Sequence, residues 1–214
     1  MLFRSSHFDD LLSRLIKNFG KSPKRLFSRT KKSDGVELGV GLMAAHHILQ
    51  EGDFSTAKVA VAINAAKPSR WQVLNVSAGG CSLRKFSSSK TSAYIGDVVA
   101  MKNNKTSTWE IAVLRWANVN SLSQLDVGLE LISPNATTAT ARHENSAVEG
   151  EALLLPELNG LKQAASILTA RGFCKTSDIL VFATESNINK IMVTKLVERT
   201  ARFERFEYNL MPSI

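Results

Sequence analysis

Trp71-Gln72-Val73-Leu74-Asn75-Val76-Ser77-Ala78-Gly79-Gly80 reads as a strand that runs into an Asn-x-Ser-x-x-Gly turn. A short amide, a hydroxyl and a glycine at that spacing line one backbone turn with hydrogen-bond donors and acceptors. Upstream, Arg25 and Arg29 stand four residues apart in a lysine-rich segment. Guanidinium is planar, always charged and forks bidentately, so such a pair suits phosphate and guanine recognition.

From Trp71 onward the pattern is all-β. Strands are expected over Trp71 to Val76, Gly80 to Phe86, Asp97 to Lys102, Thr108 to Ala117 and Asp126 to Ile132. Polar separators (Ser87-Ser88-Ser89, Lys102-Asn103-Asn104-Lys105, Asn118 to Ser123) divide them. Short strands at this interval argue a small antiparallel barrel or sandwich.

These pieces together resemble the ligand signature of the PilZ domain family. In that family an Arg-x-x-x-Arg segment precedes a small β-barrel, and Asp/Asn-x-Ser-x-x-Gly lies on an early strand. Tyr94-Ile95-Gly96-Asp97 is similar to the turn that feeds a barrel strand in PilZ domains. Val113-Leu114-Arg115-Trp116 followed by Val127-Gly128-Leu129-Glu130 is similar to the family's closing hairpin. The resemblance implies a non-catalytic receptor for cyclic di-GMP, with Arg25, Arg29, Asn75, Ser77 and Gly80 as ligand-binding residues. It also implies a signal given by ordering of the Arg25/Arg29 loop on binding. It needs no cofactor and no metal, and it covers residues 21–135.

Two departures from the family pattern matter. Arg29 and Asn75 are 46 positions apart, longer than the usual separation. Residues 42–68 are then an insertion, or an unusual first strand with a helix. Alternatively Arg70, close to the motif, supplies part of the basic function. Asn75 in place of Asp stays within the pattern, but it offers a carbonyl and amide donors where a carboxylate would meet a guanine edge.

The formal charge of +8 is uneven. Residues 1–35 hold nine Lys/Arg against three acids, which accounts for six of the eight charges. A localised basic segment implies a localised anionic partner. Cys81 and Cys174 have no metal spacing and read as free buried thiols of a reducing compartment. No apolar run approaches the ~18 residues of a membrane span. Asp9-Asp10 interrupts the N-terminal apolar residues, so no signal peptide is expected and a cytoplasmic protein is; that the protein is bacterial is what the PilZ resemblance implies.

The expected fold class is mainly β: a small PilZ-like barrel preceded by an N-terminal helix and followed by a second small β unit. Phe8, Leu11, Leu12, Leu15, Ile16 and Phe19 recur at helical spacing within residues 1–20. Lys21 to Gly35 reads as the basic loop that opens the barrel domain, residues 21–135. Val36 to Val40 reads as a strand, Leu42 to Gln50 as a short helix, and Val59 to Ile63 as another strand. Residues 136–150, rich in Asn, Thr, Ala and Glu, read as a linker. Residues 151–214 alternate again, over Glu151 to Leu155, Ser166 to Phe173, Asp178 to Phe182, Lys190 to Val197 and Arg202 to Leu210. They are read as a small β domain that docks a protein partner.

No enzyme constellation stands out. His46-His47 points to two different helix faces, one core and one surface, without a metal partner at ligand spacing. The Gly39-x-Gly41 and Gly79-Gly80 glycines do not make a dinucleotide loop. Trp71, Trp109 and Trp116 are read as barrel core, with the rim as the one place where an indole could meet a base. Two other readings stand beside the receptor. One is a small barrel that binds single-stranded nucleic acid through the basic segment; the strands carry little excess positive charge for it. The other is a degenerate PilZ domain that binds only protein.

Overall fold

The computed structural model describes residues 28–51, 67–85, 92–103, 108–119 and 124–212. The helix expected within residues 1–20, Arg25, and the strand expected over Val59 to Ile63 lie outside the described residues. The described chain is mainly β and forms two antiparallel barrels in succession.

The first barrel is built from β1 (Thr30–Lys31), β2 (Gly35–Val40), β3 (Ser69–Ser77), β4 (Gly80–Lys85), β5 (Val98–Asn103), β6 (Trp109–Val119) and β7 (Leu125–Ser133). Its order is β1-β3-β2-β5-β6-β7-β4, and β4 pairs back onto β3 to close the sheet. Residues Ser69 to Gln72 of β3 pair with β2, and Asn75 and Val76 pair with β1. The expected loop from Lys21 to Gly35 is therefore partly sheet: Thr30–Lys31 forms a short strand on the edge of β3. Between β2 and β3 stands the helix α1 (Leu42–Glu51). The Tyr94–Asp97 turn feeds β5, held by a hydrogen bond from the Tyr94 amide to Asp97 Oδ2 at 2.7 Å.

The second barrel closes in the order β10-β13-β12-β11-β8-β9. Its strands are β8 (Thr137–His143), β9 (Glu149–Leu155), β10 (Ser166–Ala170), β11 (Ile179–Ala183), β12 (Ile188–Arg199) and β13 (Phe203–Leu210). The linker reading of residues 136–150 is corrected here. β8 pairs with both β9 and β11, and β9 begins at Glu149. In Thr137-Thr138-Ala139-Thr140-Ala141 the inward residues are the small Ala139 and Ala141, so the strand lacks the large apolar residues that announce one. Only Pro134 to Ala136 separate β7 from β8.

Alternation along the strands explains three buried clusters. Val99, Ala112 and Leu114 point into the first barrel with Leu38, Trp71 and Leu83. Ala152, Ile167 and Phe206 point into the second with Leu180 and Ile191. The alternate residues of the same strands, Val98, Ala100, Ile111 and Val113 against Leu153, Leu155, Leu168 and Phe203, form a third cluster with Ala45 and Ile48 of α1. These strands are thus buried on both faces. Burying each large side chain is worth about 1.5–3 kcal/mol, so this seam fastens the barrels far more firmly than the three-residue connection. His46 belongs to it: its Nε2 lies 3.2 Å from the Ala139 carbonyl, while His47 is half-buried.

Candidate functional site

The Asn75 turn owes its geometry to a β-bulge. The register of β3 against β4 slips between Val73 and Asn75. Val73 and Val76, three positions apart, both belong to the barrel interior. The bulge thereby turns Asn75 and Ser77 to the outer face, where an unbroken alternation after Trp71 and Val73 would have buried them.

Ala78 and Gly79 form a two-residue turn that joins Ser77 to Gly80. The Ser77 hydroxyl donates to the Gly80 carbonyl at 3.2 Å and closes the hairpin. Gly80 has φ +146°, and a Cβ there would lie 2.0 Å from the Leu129 carbonyl oxygen. The space a side chain would take at Gly80 is occupied by the β7 backbone, so this glycine is required by the fold itself.

β1 brings cations to this turn. Thr30 is the Cα partner of Val76 and Lys31 that of Asn75. Arg29, exposed, precedes Thr30 and so stands beside Ser77, which follows Val76. Lys31 and Lys32 are exposed on the same edge. The 46-position separation of Arg29 and Asn75 does not part them, because β1 pairs with β3. Arg70 lies at the other end of β3, roughly 23 Å along the strand from Ser77 at 3.3 Å per residue. It is exposed and faces Glu37 at 3.9 Å.

The outer face continues across the barrel in register. Asn75 stands opposite Ser82, Ser82 opposite Gly128, and Gly128 opposite Trp116. A Cβ on Gly128 would lie 1.9 Å from Trp116 Nε1, so the indole packs against β7 at its one residue without a side chain. Trp71 and Trp109 are core, as expected, but Trp116 is 38% exposed on this face. Ser82, by contrast, is buried, and its Oγ has no hydrogen-bond partner among the described residues. The next row carries the bidentate pair of Arg84 and Asp126, both contacts at 2.7 Å. The available signal for Trp116 was Gly128 itself, an isolated glycine in a strand pattern that marks a close approach.

Beside the turn, the end of the barrel holds a cavity of about 250 Å3 with Lys32, Asp34, Ser77, Gly80, Cys81 and Glu110 among its lining residues. Burial raises the Glu110 carboxyl above its ordinary range. The structure thus brings Arg29, Asn75, Ser77 and Gly80 to one end of the first barrel, with Lys31 beside them and Trp116 three strands away in the Asn75 row, neither of which sequence reasoning assigned. The arrangement offers cations, an amide, a hydroxyl and an exposed indole to a planar, anionic ligand. Among the described residues no group of three or more His, Cys, Asp or Glu side chains is placed to hold a metal ion.

Comparison with known proteins gives the following. Residues 56–138 match the family described as the cyclic-di-GMP receptor FimW, middle PilZ domain. Residues 136–211 match the FimW C-terminal beta-barrel domain. A curated relative, the cyclic-di-GMP receptor FimW of Pseudomonas aeruginosa, is 24% identical over 140 residues, covering 64% of this chain and 23% of that protein. The chain thus spans about a quarter of the length of the relative it matches. Among solved structures, the PlzA protein of Borreliella burgdorferi in complex with c-di-GMP aligns over 92% of this chain and 93% of that one. Its identity is 11% and its TM-score 0.31.

Proposed function

From the match of residues 56–138 to a PilZ domain we propose that the chain is a non-catalytic receptor for cyclic di-GMP of the PilZ family. The observation that carries this reading is the meeting of the Arg29–Lys31 edge with the outward Asn75 and Ser77 on one rim of the barrel. Arg29 pairs with a phosphate or forks onto a guanine edge. The Asn75 amide reads the guanine edge, and the exposed Trp116 indole offers the base a stacking face. Arg25, outside the described residues, is the second arginine of this reading, and ligand binding orders the segment that carries the pair.

The second barrel is the output module and docks a protein partner. The two free, buried cysteines suit a reducing cytoplasm, where we place the protein. Calorimetric titration of the chain with cyclic di-GMP, against single-stranded RNA, tests the reading. Saturable heat with the dinucleotide and none with RNA is expected. Binding of RNA alone favours the nucleic-acid barrel, and heat with neither leaves a domain that binds only protein.

A further inference from the structure

Arg115 is the extra residue of a bulge in β6: Leu114 pairs with Leu129 and Trp116 with the adjacent Gly128, leaving Arg115 without a partner across the ladder. Its guanidinium serves two barrels. Nε donates to Glu130 Oε2 at 2.5 Å, and Nη1 donates to Glu198 Oε1 on β12 of the second barrel. Both carboxylates matter to the site by position. Glu130 is the Cα partner of Gly80, at the motif turn. Glu198 is the Cα partner of Arg205, which is buried at the seam with its Nε donating to Ser166 Oγ at 2.9 Å. Trp116 follows Arg115 directly in sequence, so whatever fixes the bulge fixes the direction in which the indole is presented.

We propose that Glu198, a residue of the second barrel, is a positioning residue for the ligand site of the first. It holds one arm of Arg115, whose other arm holds Glu130 beside Gly80, and the locked bulge sets Trp116 over Gly128. The site on the first barrel is complete only when the second is seated against it. This rests on the cyclic di-GMP reading. It also supplies the path by which the two barrels communicate, because a coupling between two sites acts equally in both directions.

The test compares the full chain with Glu198→Gln, Arg115→Lys and a control, Arg202→Ala. Arg202 is another tie between the barrels, 3.6 Å from Asp97 and 4.2 Å over the Tyr94 ring, in the loop at Gly96 that Thr200 also holds. Each protein is titrated calorimetrically with cyclic di-GMP, and its melting temperature is measured in parallel. Glu198→Gln and Arg115→Lys are expected to weaken binding by about five- to tenfold. Arg202→Ala is expected to lower the melting temperature and leave affinity unchanged. Arg115→Lys keeps the charge and loses the fork, so it carries the test should Glu198→Gln fail to fold.

Wild-type affinity in a folded Glu198→Gln, or in Arg115→Lys where Glu198→Gln does not fold, would overturn the proposal while leaving the receptor reading intact. So would an equal loss in Arg202→Ala, which would make Glu198 a general inter-barrel tie. No binding to the wild-type chain would overturn the receptor reading and the positioning role together.

Discussion

Arg29 and Ser77, 48 positions apart in the sequence, flank a single cross-strand pair: Arg29 precedes Thr30, Ser77 follows Val76, and Thr30 pairs with Val76. The intervening chain forms β2 of the same sheet and then α1 before it returns as β3, which pairs with both β1 and β2. Sequence distance thus places no penalty on the meeting of the basic edge and the turn, because the sheet supplies the closure.

Arg29→Ala follows from that relationship. A hydrogen bond to a charged group is worth about 1.5–3 kcal/mol, or roughly 10- to 150-fold in affinity. Calorimetry is expected to show a loss for cyclic di-GMP in that range with an unchanged melting temperature, since Arg29 is exposed. Undiminished affinity would move the cationic contact to Arg25 or Lys31.

Gly80→Val is a folding mutation. Its Cβ has nowhere to go but the Leu129 carbonyl, and φ +146° disfavours any side chain. Destabilisation of roughly 3 kcal/mol or more is expected in urea unfolding. Ser77→Ala removes only the hydroxyl's bond to the Gly80 carbonyl and should cost about 0.5–1.5 kcal/mol. A Gly80→Val protein as stable as wild type would mean that β7 can retreat from the turn.

Lys85→Met is expected to stabilise. Lys85 is buried, its Nζ has no hydrogen-bond partner among the described residues, and burial lowers its pKa. The ammonium lies 5.5 Å from the Trp71 ring centroid, a contact worth about 2 kcal/mol when desolvated, against a cost of about 3 kcal/mol or more for a buried charge without a partner. A gain of about 1 kcal/mol, or roughly 2–4 °C for a chain of this size, is the expected difference. The lysine's cost is full at low pH, where both states are protonated. It vanishes as pH rises past the unfolded value near ~10.4, so the gap between variant and wild type should narrow in alkali. A melting temperature lowered by the substitution would point to an anionic partner for Lys85.

Both thiols should be inert in the native protein. Burial pushes Cys81 up to about 12 and Cys174 up to about 11, so neither forms the nucleophilic thiolate near neutrality. Iodoacetamide at mildly alkaline pH is expected to label neither until denaturant is added. Because the folded state keeps these protons, the two groups withdraw stability as pH rises above the ordinary thiol value of about 8.5. Labelling of the folded chain would show that the barrel mouth opens.

How far the sequence could be read depended on side-chain size. β2, α1 and the strands from β3 to β7 carry Val, Ile, Leu or Trp at regular intervals and were legible. β8 was not, because Ala139 and Ala141 mark its inner face and the outward threonines look polar. Which strands close each barrel was also hidden, since β4 meets β3 and β7 through backbone bonds that no side chain announces. At the site, the Asn75 turn was legible as a motif, while the orientation of Asn75 and Ser77 depends on a bulge, which is a register property. An indole is usually buried, so from the sequence alone Trp116 reads as core. Only its cross-strand partner, Gly128, reveals why it rests against the strand at the surface. The tie between Arg115 and Glu198 spans 83 positions and had no sequence signal at all.

The most direct test of the receptor account is amide hydrogen exchange of the full chain with and without saturating cyclic di-GMP. Added ligand is expected to slow exchange in the Arg29 to Lys32 edge and in Asn75 to Ser82, which together form the rim of the first barrel. Unchanged exchange in both stretches, or protection confined to the second barrel, would contradict it.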